Sequence, residues 1–160
     1  FNEKEVDEIV VLDIDATAEG REPDYRLIER LAAECRMPLC YGGGVKSVRQ
    51  FERIVGLGVE KVAISSGAVE TPELVSSAAS VVGSQSVVVV LDVKRECGTH
   101  TVWTHNGTMP AGIAVTDFAK CMQHLGAGEI VVNSIERDGV MGGYDLELAG
   151  LVCRSVTPTP

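Results

Sequence analysis

Short apolar runs alternating with helical patterns leave this chain few architectures. The runs are Ile9–Ile14, Pro38–Gly42, Lys61–Ser65, Ser86–Asp92 and Glu129–Asn133. They are too short for buried helices and rich in Val and Ile, so they read as strands. Strands that alternate with helices imply right-handed crossovers and a parallel sheet, hence an α/β fold. In such sheets the chemistry collects beyond the C-terminal strand ends. Those ends carry Asp13, Gly42-Gly43-Gly44, Ser65-Ser66, Asp92 and Asn133.

The helices are marked by their apolar stripes and their caps. Asp24–Cys35 places Leu27, Ile28, Leu31, Ala32 and Cys35 on one face. Ser47-Val-Arg-Gln50 reads as a capping box ahead of Val48, Phe51, Ile54 and Val55. Thr71-Pro72 reads as an N-cap with proline at the first helical position, and Gly83 as the stop. Val115, Phe118, Ala119, Met122 and Leu125 form the next stripe, and Asp145 can cap a last helix. Between Asp92 and Val115 the rhythm breaks at Thr99–His105 followed by Asn106-Gly107, which predicts a small hairpin above the sheet.

At 160 residues the chain suffices for one domain with a real core, and a single domain over 1–160 is expected. A formal net charge of -9 argues against a general nucleic-acid or membrane-surface binder. The five cysteines contain no C-x-x-C and the three histidines are scattered, so neither a metal centre nor a cofactor is expected. Reduced cysteines suggest a cytoplasmic setting, and no signal peptide or membrane-spanning run is visible. Phe1–Val6 reads as the end of a helix and Thr157–Pro160 follows a helical start, so both ends are expected to be cut from something longer.

Each candidate site residue has a plain reading beside a functional one. Gly42-Gly43-Gly44 is either a tight turn between strand and helix or a place where backbone N–H groups approach a phosphate. Ser65 and Ser66 are caps or donors to that same anion. Asp92 leaves a run of valines at the mouth of the sheet, where a carboxyl suits general-acid work; the alternative is a helix cap or an aspartate paired with Lys94 or Arg95. Asp13 is similar, with Asp15 expected on the same strand face. Asp138-Gly139 is an ordinary turn or a second anion site. Glu8, Lys61 and Glu129 stand just at the starts of three strands, as solvated charges or as an ion-pair ring at the N-terminal face.

Taken together, these stretches resemble one family. Asp7–Ile14, Tyr41–Val45, Gly83–Val87, Leu91–Arg95, Gly126–Ile130 and Asn133–Gly139 with Gly143–Leu146 resemble the cyclase subunit of imidazole glycerol phosphate synthase, HisF. Asp13–Thr17, Glu19–Pro23 and Asn133-Ser-Ile135 are closer to the HisF-like paralogue of bacterial surface-polysaccharide gene clusters. The resemblance implies a TIM (β/α)8 barrel of which this chain covers about the second to sixth strands, a partial barrel with an exposed edge on each side. The family's first strand, with its other catalytic aspartate and a lysine loop, and its seventh and eighth strands would lie outside the chain.

The resemblance also implies roles. Asp92 falls on a catalytic aspartate, Gly43, Gly44, Ser65 and Ser66 on a phosphate cradle, and Asp138 and Gly139 on a second one. Asp13, Lys94 and Asn133 would lie near substrate, and Glu8, Lys61 and Glu129 would belong to a gate admitting ammonia from a glutamine amidotransferase subunit. Where Ser65-Ser66 stand, the family commonly has asparagine then threonine or serine, and Asn133 replaces a frequent threonine. The implied reaction joins ammonia to a phosphoribulosyl-formimino aminoimidazole carboxamide ribonucleotide, giving imidazole glycerol phosphate and an aminoimidazole ribotide in histidine biosynthesis. The alternatives are ammonia delivery for sugar amidation in surface-polysaccharide synthesis, a related sugar-phosphate isomerase barrel, or a non-catalytic phosphate-binding barrel fragment. The fragment alone is expected to be inactive.

Overall fold

The computed structural model describes residues 6–156, so the helix end expected from Phe1 and the tail Thr157–Pro160 lie outside the described residues. Strand β1 (Ile9–Leu12) leads into α1 (Ile14–Ala18) and α2 (Tyr25–Glu34), then β2 (Leu39–Gly42), α3 (Val48–Gly56) and β3 (Lys61–Ile64). Helices α4 (Ser66–Glu70) and α5 (Glu73–Val82) precede β4 (Val87–Glu96), β5 (Thr99–Thr104) and β6 (Met109–Ala114). Helix α6 (Val115–His124), β7 (Glu129–Ser134) and α7 (Leu146–Ser155) complete the order. The expected parallel wall is present in the order β1-β2-β3-β4-β7.

Side-chain parity organises this wall, because successive residues of a strand face opposite sides. Leu39, Tyr41, Val62, Ile64, Val87, Val89 and Leu91 face the helices and join a core with Ile28, Phe51, Ile54, Val75, Phe118, Met122 and Leu148. The other parity faces inward, where Cys40, Ala63, Val88 and Val90 form a smaller buried cluster against Val131. The inner columns of β3 and β7 therefore run from a charged start to a polar tip, and that of β4 from valines to a carboxylate. Lys61, Ala63 and Ser65 make one such column, Val88, Val90 and Asp92 another, and Glu129, Val131 and Asn133 a third.

The strand boundaries shift in ways that matter for the site. β1 ends at Leu12, because the Asp13 carboxylate caps α1 by accepting from the N–H groups of Asp15 and Ala16. Asp15 is therefore an exposed helical residue and does not share a strand face with Asp13. β4 does not stop at Asp92 but continues to Glu96. β7 occupies one edge of β4 from Val88 to Val93; on the other edge β3 pairs as far as Val89 and antiparallel β5 takes over from Asp92. The expected hairpin is thus a three-stranded meander, β4-β5-β6. Its first turn is Cys97-Gly98, both at positive φ (49° and 83°), the backbone that matches strand twist in a two-residue hairpin. Asn106-Gly107 lies in the second connection.

Asp145 caps α7 as expected, and Asp24 caps α2. Ser47 makes no side-chain cap bond; instead the Gln50 carboxamide oxygen accepts from the Lys46 N–H at 2.7 Å, one residue upstream of a true capping box. Pro72, not Thr71, holds the cap position of α5. No helix among the described residues is long and apolar enough to cross a membrane. Phe51 is fully buried at the centre of the α3 stripe, so Phe51→Ala should lower the unfolding free energy by about 3–5 kcal/mol in urea titrations followed by circular dichroism.

Candidate functional site

Three inner columns end side by side at the C-terminal rim, and their tips meet. The Asp92 carboxylate accepts from the Ser65 hydroxyl through Oδ2 and from the Asn133 carboxamide through Oδ1, each at 2.9 Å. Asn133 stands directly opposite Asp92 in the β4–β7 register. This replaces the Lys-paired alternative. Lys94 donates to the Gly107 carbonyl at 2.5 Å and lies 3.8 Å from the Trp103 ring centroid, while Arg95 pairs with Glu147 at 3.3 Å. Lys94, expected near substrate, thus has both of these contacts within the hairpin.

The tips frame a cleft of about 600 Å³. Asp92 and Asn133 line it together with Asp13, Gly43, Gly44 and Asp138, and with Ser65 and Ser66. Gly139 is not among its lining residues and sits in the turn behind Asp138 with φ 72°. Asp13 reaches the cleft as a cap rather than as a free carboxylate, and its second oxygen pairs with Arg21 at 3.3 Å. The two serines divide. Ser65 serves Asp92, whereas Ser66 is buried and accepts from the His105 backbone N–H at 3.0 Å.

The glycine turn has a packing cause of its own. Gly43 and Gly44 have φ of 124° and 69°, and a Cβ would lie 2.5 Å from the Asp13 carbonyl oxygen at the first and 2.6 Å from the Arg21 carbonyl oxygen at the second. The loop after β1 therefore presses directly on this turn, and no side chain fits between them.

The hairpin expected above the sheet brings its tip over the mouth, and its contacts there are new. Asn106 donates to the Ile14 carbonyl at 2.8 Å, and the His105 ring stands 3.5 Å from Glu70. Asn106, Thr17 and Ile135 join the cleft lining. The Asn-Gly pair marked the turn, but not where its side chain would reach. On the far side of β7, Asp145 accepts from the Leu148 N–H and the Ser134 hydroxyl and lies near Arg137. These contacts, the Leu148 bond first, hold its carboxyl below the usual range.

At the opposite end of the inner columns the structure brings Glu8, Lys61 and Glu129 together. The Lys61 ammonium donates to Glu8 and to Glu129, each at 2.7 Å. These bonds, the one to Glu129 first, push its pKa up against the opposing effect of burial. Cys40 is paired with Lys61 in the β2–β3 register and lies within the inner face. Burial, and then the negative charge of Glu8 and Glu129, push its thiol up to about 12. Among the described residues no cluster of three or more His, Cys, Asp or Glu is placed to hold a metal ion.

Two outcomes follow from the charged end. A folded-state ammonium pKa above its ordinary 10.5 gives stability that is complete below pH 10.5 and disappears as pH rises through the higher folded value. Lys61→Met should lose that stability at neutral pH and show a flatter decline of the urea midpoint above pH 10.5. The Cys40 thiol should resist a chromogenic disulfide reagent in the folded protein at neutral pH and react only after denaturation, whereas the exposed Cys97, Cys121 and Cys153 should react at once.

Residues 1–159 match the family model described as histidine biosynthesis protein. The chain is 57% identical over 150 residues to the "Putative imidazole glycerol phosphate synthase subunit HisF" of Leptospira interrogans, covering 92% of this chain and 59% of the relative. It is 56% identical to the "Putative imidazole glycerol phosphate synthase subunit hisF3" of Vibrio vulnificus (strain YJ016), with 92% of this chain and 57% of the relative covered. It is 42% identical to the imidazole glycerol phosphate synthase subunit HisF of Sulfolobus acidocaldarius, with 98% and 63% covered. The chain thus spans about three fifths of the length of the curated relatives it matches. It belongs to the histidine biosynthesis protein family, a TIM-barrel family, and its parallel strands with their helices form part of such a barrel.

Proposed function

We propose that this chain is the segment of a cyclase subunit of imidazole glycerol phosphate synthase that carries one proton-transfer carboxylate, part of each phosphate site and most of an ammonia entrance. The observation that carries the reading is the inner face itself. A salt-bridged lysine stands at one end, Asp92 at the other, and Val10, Cys40, Ala63, Val88, Val90 and Val131 lie between. An apolar passage lets neutral ammonia through and penalises ammonium, because a charge stripped of water is costly there. Ammonia released by a glutamine amidotransferase subunit at the Lys61 end would reach the ribonucleotide at the Asp92 end without becoming protonated in bulk water.

In this reading ammonia attacks the phosphoribulosyl-formimino aminoimidazole carboxamide ribonucleotide, and the intermediate breaks and closes to imidazole glycerol phosphate and an aminoimidazole ribotide. Asp92 moves the protons that bond breakage and ring closure require. The substrate has a phosphate at each end, so two anion sites are needed on opposite sides of the mouth. The backbone at Gly43 and Gly44, with Ser66, supplies one, and the Asp138-Gly139 turn contributes to the other. Asp13 shapes the rim by capping α1, and Asn133 faces the substrate beside Asp92.

A second reading is favoured by the high identity to the numbered subunit hisF3 and by Ser65 and Asn133 at the rim. In it the same passage delivers ammonia for amidation of a sugar in surface-polysaccharide synthesis. The full-length protein containing this chain, supplied with ammonium salt and the ribonucleotide, decides between the two by whether the aminoimidazole ribotide is released. If it is, Asp92→Asn should lower turnover on the order of 100-fold to 10,000-fold while the circular dichroism spectrum is unchanged. An unaltered rate removes Asp92 from proton transfer.

A further inference from the structure

We infer that Ser65 and Asn133 are positioning residues that grip the Asp92 carboxylate from both sides, and that the Ser65 hydroxyl is not a phosphate ligand. The inference rests on the reading of Asp92 as the proton-transfer group. A serine hydroxyl has one proton to give. That of Ser65 goes to Asp92 Oδ2 at 2.9 Å, so it cannot simultaneously be donated to a phosphate oxygen. The Asn133 carboxamide gives one N–H to Oδ1 at the same distance.

The three side chains are the top layer of neighbouring inner columns, just past the end of β3, on β4 and on β7. Donors arriving from opposite flanks stop the carboxylate from turning about its own bond. Each carboxylate oxygen accepts from more than one direction, so the bonds to Ser65 and Asn133 leave acceptor capacity facing the cleft. Ser66 has a different task, since its oxygen receives the His105 backbone N–H of the hairpin tip. The serine pair thus splits between orienting the carboxylate and anchoring the hairpin. An anion at this rim would rely on backbone N–H groups and on the proton that the Ser66 hydroxyl retains.

The test uses steady-state kinetics of the full-length protein with ammonium salt as nitrogen source. Ser65→Ala and Asn133→Ala should each lower kcat on the order of 10-fold to 100-fold, as expected for a misplaced reacting group. The ribonucleotide KM should stay within about twofold, because the lost interaction concerns the reacting group rather than substrate binding. Ser65→Thr, which keeps the hydroxyl, should restore most of the rate. A raised KM with kcat intact in Ser65→Ala would make Ser65 a phosphate ligand and overturn the inference, while the proposed function stands.

Absence of turnover in the wild type sinks the functional reading instead. The grip is then read directly from the Asn133 side-chain amide in nitrogen–proton NMR correlation spectra. Asp92→Ala should move those amide signals, and signals left in place would overturn the inference whatever the reaction.

Discussion

Strand β4 is paired along both edges, and its pairing decides which side chains can meet. β7 fixes one edge in parallel register from Val88 to Val93. The other edge is shared by β3 below and β5 above. With both edges occupied the strand cannot slip by one residue, because a slip would turn Val88, Val90 and Asp92 out of the inner face and bring Val89, Leu91 and Val93 into it. The contact of Asp92 with Asn133 follows from that register, and its contact with Ser65 follows from the last pair that β3 makes. The same strand then supplies the arm of the hairpin that returns over the mouth. Core, carboxylate and cover are thus consequences of one set of ladder bonds.

The inner face resolves a conflict between packing and charge. Its middle is filled by small and branched apolar side chains, which suits a closely packed wall. Polar groups at either end would be costly if unpaired, and each has its partner. Lys61 lies between two carboxylates, and Asp92 lies between two donors. The hairpin adds a third set of contacts, in which the His105 N–H reaches Ser66 and Asn106 reaches the Ile14 carbonyl. These bonds tie three loops of the rim to one another although the loops are far apart in the chain.

Much of this architecture was legible in the residues. Valine-rich runs of strand length and stripes such as Phe51-Ile54 gave the alternation of strand and helix, and a charge at the start of three strands gathers Glu8, Lys61 and Glu129 at one end. The misreadings arose where local chemistry competed with pattern. The run from Ile9 resumes with Ile14, yet the Asp13 side chain ends the strand by bonding to the next turn of backbone. Val93 continues the alternation of β4, but nothing local says that a new antiparallel partner will keep the strand going. Lys94 sits two residues beyond Asp92 on the same parity, and its direction was set by an aromatic ring and a carbonyl of the hairpin. Asn106 was recognised as a turn residue, and its long-range bond could not be read from its neighbours. Serine hydroxyls adjacent in sequence looked equivalent, and only tertiary geometry separated their partners.

The pressure of the first loop on the triglycine turn has an experimental meaning. An alanine placed at Gly43 or Gly44 would push against the carbonyl of Asp13 or Arg21 before any ligand arrived. A damaged activity in such a variant would record a displaced loop as faithfully as a lost anion contact. Invariance of these glycines in a mutational survey would therefore be no measure of ligand recognition, and affinity at this rim has to be dissected by altering the ligand rather than the turn.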